Sequence, residues 1–120
     1  MAGKLNFIFL LIPILFSNCK KDYDWEVVYK LMLTPAPSQT NYETKITYRI
    51  KDNGSETKII NSTSWEYTFH GKDDDSAAIE AINTSNASVM EITMIVNGTT
   101  YKKECRTNGC DIALVKVFDN

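Results

Sequence analysis

Past residue 24 the chain alternates apolar and polar residues over most of its length, and a period of two predicts strands. Val27, Tyr29, Leu31 and Leu33 share one face of a strand over 25–33, which Pro35 and Pro37 end by removing two backbone donors. Over 44–50, Ile46, Tyr48 and Ile50 alternate with Lys45, Thr47 and Arg49, the pattern of a half-buried strand with one wet face. Trp65, Tyr67 and Phe69 alternate with Glu66, Thr68 and His70, so this aromatic face is assigned to a core. Met90, Ile92, Met94 and Val96 line another face, residues 101–104 return, and 110–118 forms a last strand that closes the sheet. The stretch 76–82 fits either a short strand or a turn of helix, because it is rich in alanine and spaces Ile79 and Ile82 three apart.

Three Asn-Gly pairs, Asn53-Gly54, Asn97-Gly98 and Asn108-Gly109, fall between these segments. Asparagine and glycine tolerate the positive φ of tight hairpin turns, so each pair predicts a corner. The first corner joins 44–50 to a strand over 57–61. Short strands at this spacing predict an all-β chain, a single small antiparallel β-sandwich of about seven strands with an Ig-like layout.

The front end follows another rule. Lys4 precedes an apolar run over residues 5–16, too short to span a bilayer comfortably and shaped like a secretory signal. Cys19 stands where cleavage belongs, after Phe16, Ser17 and Asn18, and the arrangement resembles the lipobox of bacterial lipoproteins. That resemblance implies a signal peptide over 1–18, acyl chains on Cys19, a lipidated tether over 19–24 and the β-sandwich over 25–120. Asn18 departs from the Gly, Ala or Ser usual before the modified cysteine. The run Cys19-Lys20-Lys21-Asp22 looks like small lipoproteins of the Bacteroidetes, which implies an outer-membrane location with the cell surface favoured over the periplasmic face. One fatty chain holds a protein only marginally, whereas two or three fix it to the membrane.

Charge narrows the partners. Without residues 1–18 the chain loses one lysine and no acid, leaving 12 basic and 15 acidic residues and a formal charge of −3. This argues against nucleic acid or anionic lipid as an electrostatic partner. Two further cysteines, Cys105 and Cys110, bracket four residues, and an exported compartment permits them to pair. In a hairpin they lie opposite one another, so a disulfide staple is expected in preference to a redox pair or metal site.

Little else points to chemistry. His70 is the sole histidine and falls on the polar side of its strand, while Asp73-Asp74-Asp75 lacks the spacing of a calcium loop. No serine, cysteine or lysine has a base at recognisable spacing, and no phosphate loop appears, so the chain is expected to be no enzyme and to use no cofactor or metal. Asp75-Ser76-Ala77 resembles the O-glycosylation signal of Bacteroidetes exported proteins, with Ser76 as acceptor. Tyr23, Trp25, Tyr42 and Tyr101 lie at element edges, and are the rings placed to stack on a sugar or partner.

Ile46-Thr47-Tyr48 ahead of Asn53-Gly54, then Trp65-Glu66-Tyr67-Thr68-Phe69, then Glu91-Ile92-Thr93-Met94-Ile95-Val96-Asn97-Gly98, follow an order that resembles the soluble domain of the mycobacterial membrane protein small (MmpS) family. The resemblance covers about 25–118 and implies a small all-β sandwich. Mycobacterial members assist large inner-membrane exporters, whereas this chain has a lipid signal in place of a membrane helix, and the Cys105/Cys110 pair. The expected function is a membrane-anchored, non-enzymatic interaction or accessory module of a cell-envelope complex, with an envelope or transport protein as partner. The alternative is a surface lipoprotein that binds glycan or another small ligand through its edge aromatics.

Overall fold

The computed structural model describes residues 24–37, 42–83, 87–106 and 109–118. Among them every regular element is a strand: β1 (Trp25–Pro35), β2 (Thr44–Ile50), β3 (Gly54–Ile60), β4 (Ser64–Gly71), β5 (Ser76–Asn83), β6 (Ala87–Val96), β7 (Thr99–Cys105) and β8 (Cys110–Val117). They form two four-stranded antiparallel sheets, ordered β4-β1-β6-β7 and β3-β2-β5-β8, packed as a β-sandwich. The strand beyond the expected seven or so is β5, the segment whose sequence fitted strand or helix alike. Alanine weakens the strand signal there, but pairing on both sides, to β2 and β8, decides it.

The core comes mainly from the four inner strands. Val27, Tyr29, Leu31 and Leu33 of β1 and Met90, Ile92, Met94 and Val96 of β6 face Ile46 and Tyr48 of β2 and Ala77, Ile79 and Ala81 of β5, all buried. A strand paired on both edges leaves no backbone group to water, so its inward side chains can be wholly apolar. Buried polar groups are matched within the core. Asn83 donates from Nδ2 to Thr44 Oγ1 at 2.8 Å and to the Glu43 carbonyl at 3.2 Å.

Two of the three Asn-Gly pairs make hairpins, each in its own way. Asn97 and Gly98, at φ of 47° and 84°, form the two-residue turn between β6 and β7. Asn97 also accepts from the Glu26 amide at 2.8 Å and donates its own amide to the Glu26 carbonyl at 2.9 Å. At the β2–β3 corner the positive φ values belong to Asp52 (62°) and Asn53 (54°), so Gly54 follows the bend and opens β3.

The third pair corrects the sequence reading. β7 and β8 are not hairpin partners; they are the edges of opposite sheets, and the chain between them crosses the sandwich. Thus β8 does not close a sheet, Asn108 lies outside the described residues, and Gly109 (φ 72°) belongs to a crossover. The disulfide Cys105–Cys110, with Cα atoms 5.9 Å apart, joins the two sheets and does not bridge one ladder.

The opposite end is tied by a carboxylate. Asp75, 2% exposed, accepts from the amides of Asn53 and Lys72 at 2.9 Å each and of Asp52 at 3.3 Å, drawing the β2–β3 and β4–β5 turns together. Gly71 makes this possible, because a Cβ there would lie 2.9 Å from the Phe118 ring and 3.1 Å from the Asp75 carboxylate.

Between the ends, Tyr29 clamps one sheet to the other. The β2–β5 ladder runs to the Tyr48–Ile79 pair. Beyond it, the Tyr29 hydroxyl donates to the Arg49 carbonyl at 2.8 Å and accepts from the Ala78 amide at 3.1 Å.

Replacing Tyr29 with phenylalanine strands a buried amide and carbonyl, and is expected to lower the unfolding free energy by about 2 kcal/mol, measured by urea denaturation. Reducing Cys105–Cys110 frees a short loop and is expected to cost about 2 kcal/mol in the chain-entropy model, seen as a lower thermal midpoint in reductant with the strand circular-dichroism signature retained.

Candidate functional site

On one side of the sandwich the sheets do not close. β3 and β4 are the edges there, and each has one flank without a strand partner among the described residues. Pairing of Tyr48 with Glu56 and of Ile46 with Lys58 places Glu56 and Lys58 on the inward face of β3. Both are exposed, and β3 buries none of its seven residues fully. Charged side chains stand where a closed sandwich would carry core.

The facing strand is aromatic. Along β4, Phe69 is buried, while Trp65 and Tyr67 are half-buried against the core. The Trp65 and Tyr67 rings are parallel within 5° at a centroid separation of 6.3 Å, and Tyr48 lies 4.9 Å from each. An open cleft of about 610 Å³ runs between Ile50, Lys51 and Glu56 on one sheet and Tyr67, Phe69 and His70 on the other. Aromatic surface, charge of both signs and an unpaired strand edge therefore meet in one place. Such a cleft suits an extended segment that adds to the β4 edge by main-chain hydrogen bonds while its side chains enter alternate pockets; the inward charges of Glu56 and Lys58 disfavour the same addition at β3.

Beneath the cleft, the Tyr48 hydroxyl donates to Glu56 Oε2 at 2.9 Å. Burial, and then the Glu56 carboxylate, push the Tyr48 phenol well above the usual tyrosine range; burial does the same for Tyr29, against the opposing hydrogen bond from Ala78.

The residues singled out in the sequence lie apart. Cys19 and Tyr23 are outside the described residues. Trp25 is half-buried at the Asp75 end, stacked on Phe118 at 4.7 Å and donating from Nε1 to Asp73 Oδ1 at 2.9 Å. Tyr42 packs against the core ahead of β2, with its amide on Asn61 Oδ1 at 3.2 Å, and Tyr101 lies on β7, across the sandwich from β3 and β4. These three rings share no concave patch. Ser76, half-buried, opens β5 directly after Asp75. His70 is exposed at the cleft rim, Asp73 holds Trp25, and Asp75 is turned onto backbone amides. Among the described residues no group of three His, Cys, Asp or Glu side chains is placed to hold a metal.

Sequence alternation put Trp65 and Tyr67 in the core and so missed the open side. The available signal was the run Ser55-Glu56-Thr57-Lys58, which has no apolar face to cover them. No family model matches the chain, and no curated protein matches it.

The two phenols give the domain an alkaline limit. Unfolded tyrosine ionises near pH of about 10. Because the folded values are raised, the folded state keeps protons that the unfolded state has lost above that pH, so stability is complete below it and falls as pH rises. Urea midpoints are expected to decline above about pH 10, with tyrosinate absorbance from these rings appearing only on unfolding, and the Tyr29→Phe variant should show a shallower alkaline slope.

Proposed function

We propose that the chain is an extracytoplasmic lipoprotein, anchored in a bacterial outer membrane through acyl chains on Cys19. Its β-sandwich then acts as a non-enzymatic interaction module of a cell-envelope complex. The open side between β3 and β4 carries this reading. A strand edge left unpaired beside half-buried aromatics is the surface that an extended segment of a partner protein completes. The likeness of the strand-and-turn order to the MmpS domain agrees with an accessory role beside a larger envelope or transport protein. The net charge of the chain, −2 at pH 7, favours a protein partner over nucleic acid.

The anchor gives the cleft its context. A module held at a membrane samples a thin layer of space, so a modest affinity suffices for a partner in the same layer.

Thr68 is exposed on β4 and lines the cleft, so a photoreactive residue at that position reports directly on what docks there. Irradiation of intact membranes is expected to join the chain to one other envelope protein, with a weaker product when Lys51 is also replaced by glutamate. The Cys19→Ser variant should leave the membrane fraction and lose the product. Repeated irradiation with no joined protein would count against docking at this edge, and a Cys19→Ser chain still held in the membrane would refute the anchor.

A further inference from the structure

The outer faces of the two sheets differ. That of the β4-β1-β6-β7 sheet carries Lys30, Glu66, Glu91 and Lys102 among its neutral positions. On the other sheet, the part of the outer face built by β5 and β8 has an apolar patch: register sets Ala78 beside Val115 and Ala113 beside Glu80, with Val117 beside Ser76. Val115 is 70% exposed and Val117 63%. Single exposed apolar residues are ordinary on a protein surface, but here two valines and two alanines adjoin.

Relief and charge on this face complement each other. An open hollow of about 360 Å³ is lined by Ala78, Ala113 and the exposed Val115, with Thr47, Arg49 and Glu80 around it, and exposed Val117 follows two residues on along the β8 edge. Arg49 and Glu80 bring opposite charges to the same rim. A contact between identical patches related by a two-fold axis must be self-complementary, and a face that carries a cation and an anion beside one exposed apolar hollow meets that condition.

Edge-to-edge pairing is the other route by which two such sheets join, and both edges of this sheet are built against it, β3 by its inward Glu56 and Lys58 and β8 by a lysine. Lys116 pairs with buried Ala77, which puts the lysine on the inward side of the edge strand, a device that disfavours strand addition. The face remains as the surface for association.

We propose that the outer face of the β3-β2-β5-β8 sheet packs on the same face of a second copy of this chain. Val115 and Val117 of each copy seat over the Ala78–Ala113 hollow of the other, and Arg49 of each meets Glu80 of the other. The contact leaves the β3/β4 cleft free, so it stands or falls independently of docking there.

The test uses the full chain in its own membrane. With a photoreactive residue at Val117, irradiation is expected to yield a band at twice the mass of the single species, containing peptides of this chain alone. Val115→Lys in the same chain should reduce that band at least about tenfold, as expected for a charge placed in the centre of an apolar contact. The charge pair is read with two differently tagged variants, Arg49→Glu and Glu80→Arg. Each alone should lose most of the doubled band through like-charge repulsion at both contacts, and co-expression should restore it as a mixed pair, since each new charge then meets its opposite. An intramolecular role for either residue would not be rescued by mixing. No doubled band, a band holding a different protein, or a band indifferent to both Val115→Lys and the charge reversals would overturn the proposal. Protease resistance and an intact Cys105–Cys110 bridge in each variant exclude misfolding as the cause of a loss.

Discussion

The Tyr29 hydroxyl is the group on which the relation between the two sheets rests. It leaves a strand at the centre of one sheet and ends between two strands of the other, where it meets the Arg49 carbonyl and the Ala78 amide. A wholly buried hydroxyl is tolerable only with partners, and a backbone amide beyond the end of its ladder has the same need. Both needs are met at once, at one spacing and one orientation of the sheets. Around the ring, Tyr48, Phe69 and Tyr67 lie at centroid distances of 5.9, 5.8 and 6.5 Å, so the polar contact is set inside an aromatic cluster that excludes water from it. The cleft follows from the same arrangement. Where the β2–β5 ladder gives way, β2 runs on to Ile50 and the turn at Lys51, the residues that form one wall of the open side.

Much of this architecture was legible because alternation is a local property. β1, β2 and β6 each present an unbroken row of inward apolar residues, and a strand flanked on both sides has no other use for them. The Asn97-Gly98 turn was equally plain, since two residues at positive φ suit few other sequences. Pairing was not legible. Nothing within residues 105–110 distinguishes a hairpin from a crossover, because both need a bend and both bring Cys105 near Cys110; the difference lies in whether β8 prefers β7 or β5, a question settled far away in sequence. The same holds for 76–82, whose alanines look helical until strands stand on either side.

The candidate site was harder still, since it depends on what one strand fails to supply. Trp65, Tyr67 and Phe69 form one row in the sequence, yet only Phe69 is buried in the fold. Their exposure is set by β3, which brings Glu56 and Lys58 to the positions facing them. An edge aromatic is therefore recognised from the composition of the strand across the sandwich. Trp25, Tyr42 and Tyr101 illustrate the converse: position at an element end says nothing of which end of the molecule a ring occupies. Trp25 is drawn to Phe118 and Asp73, and Tyr101 to the opposite flank.

The placement of β1 has a mechanical consequence. The chain enters the sandwich at Trp25 and continues straight into a strand hydrogen-bonded to β4 on one flank and β6 on the other. Tension applied ahead of Trp25 is directed along that strand, at right angles to the bonds of both ladders, so they bear the load in parallel and must shear together instead of unzipping singly. A domain hauled by its leading end would thus yield only when two ladders shear at once.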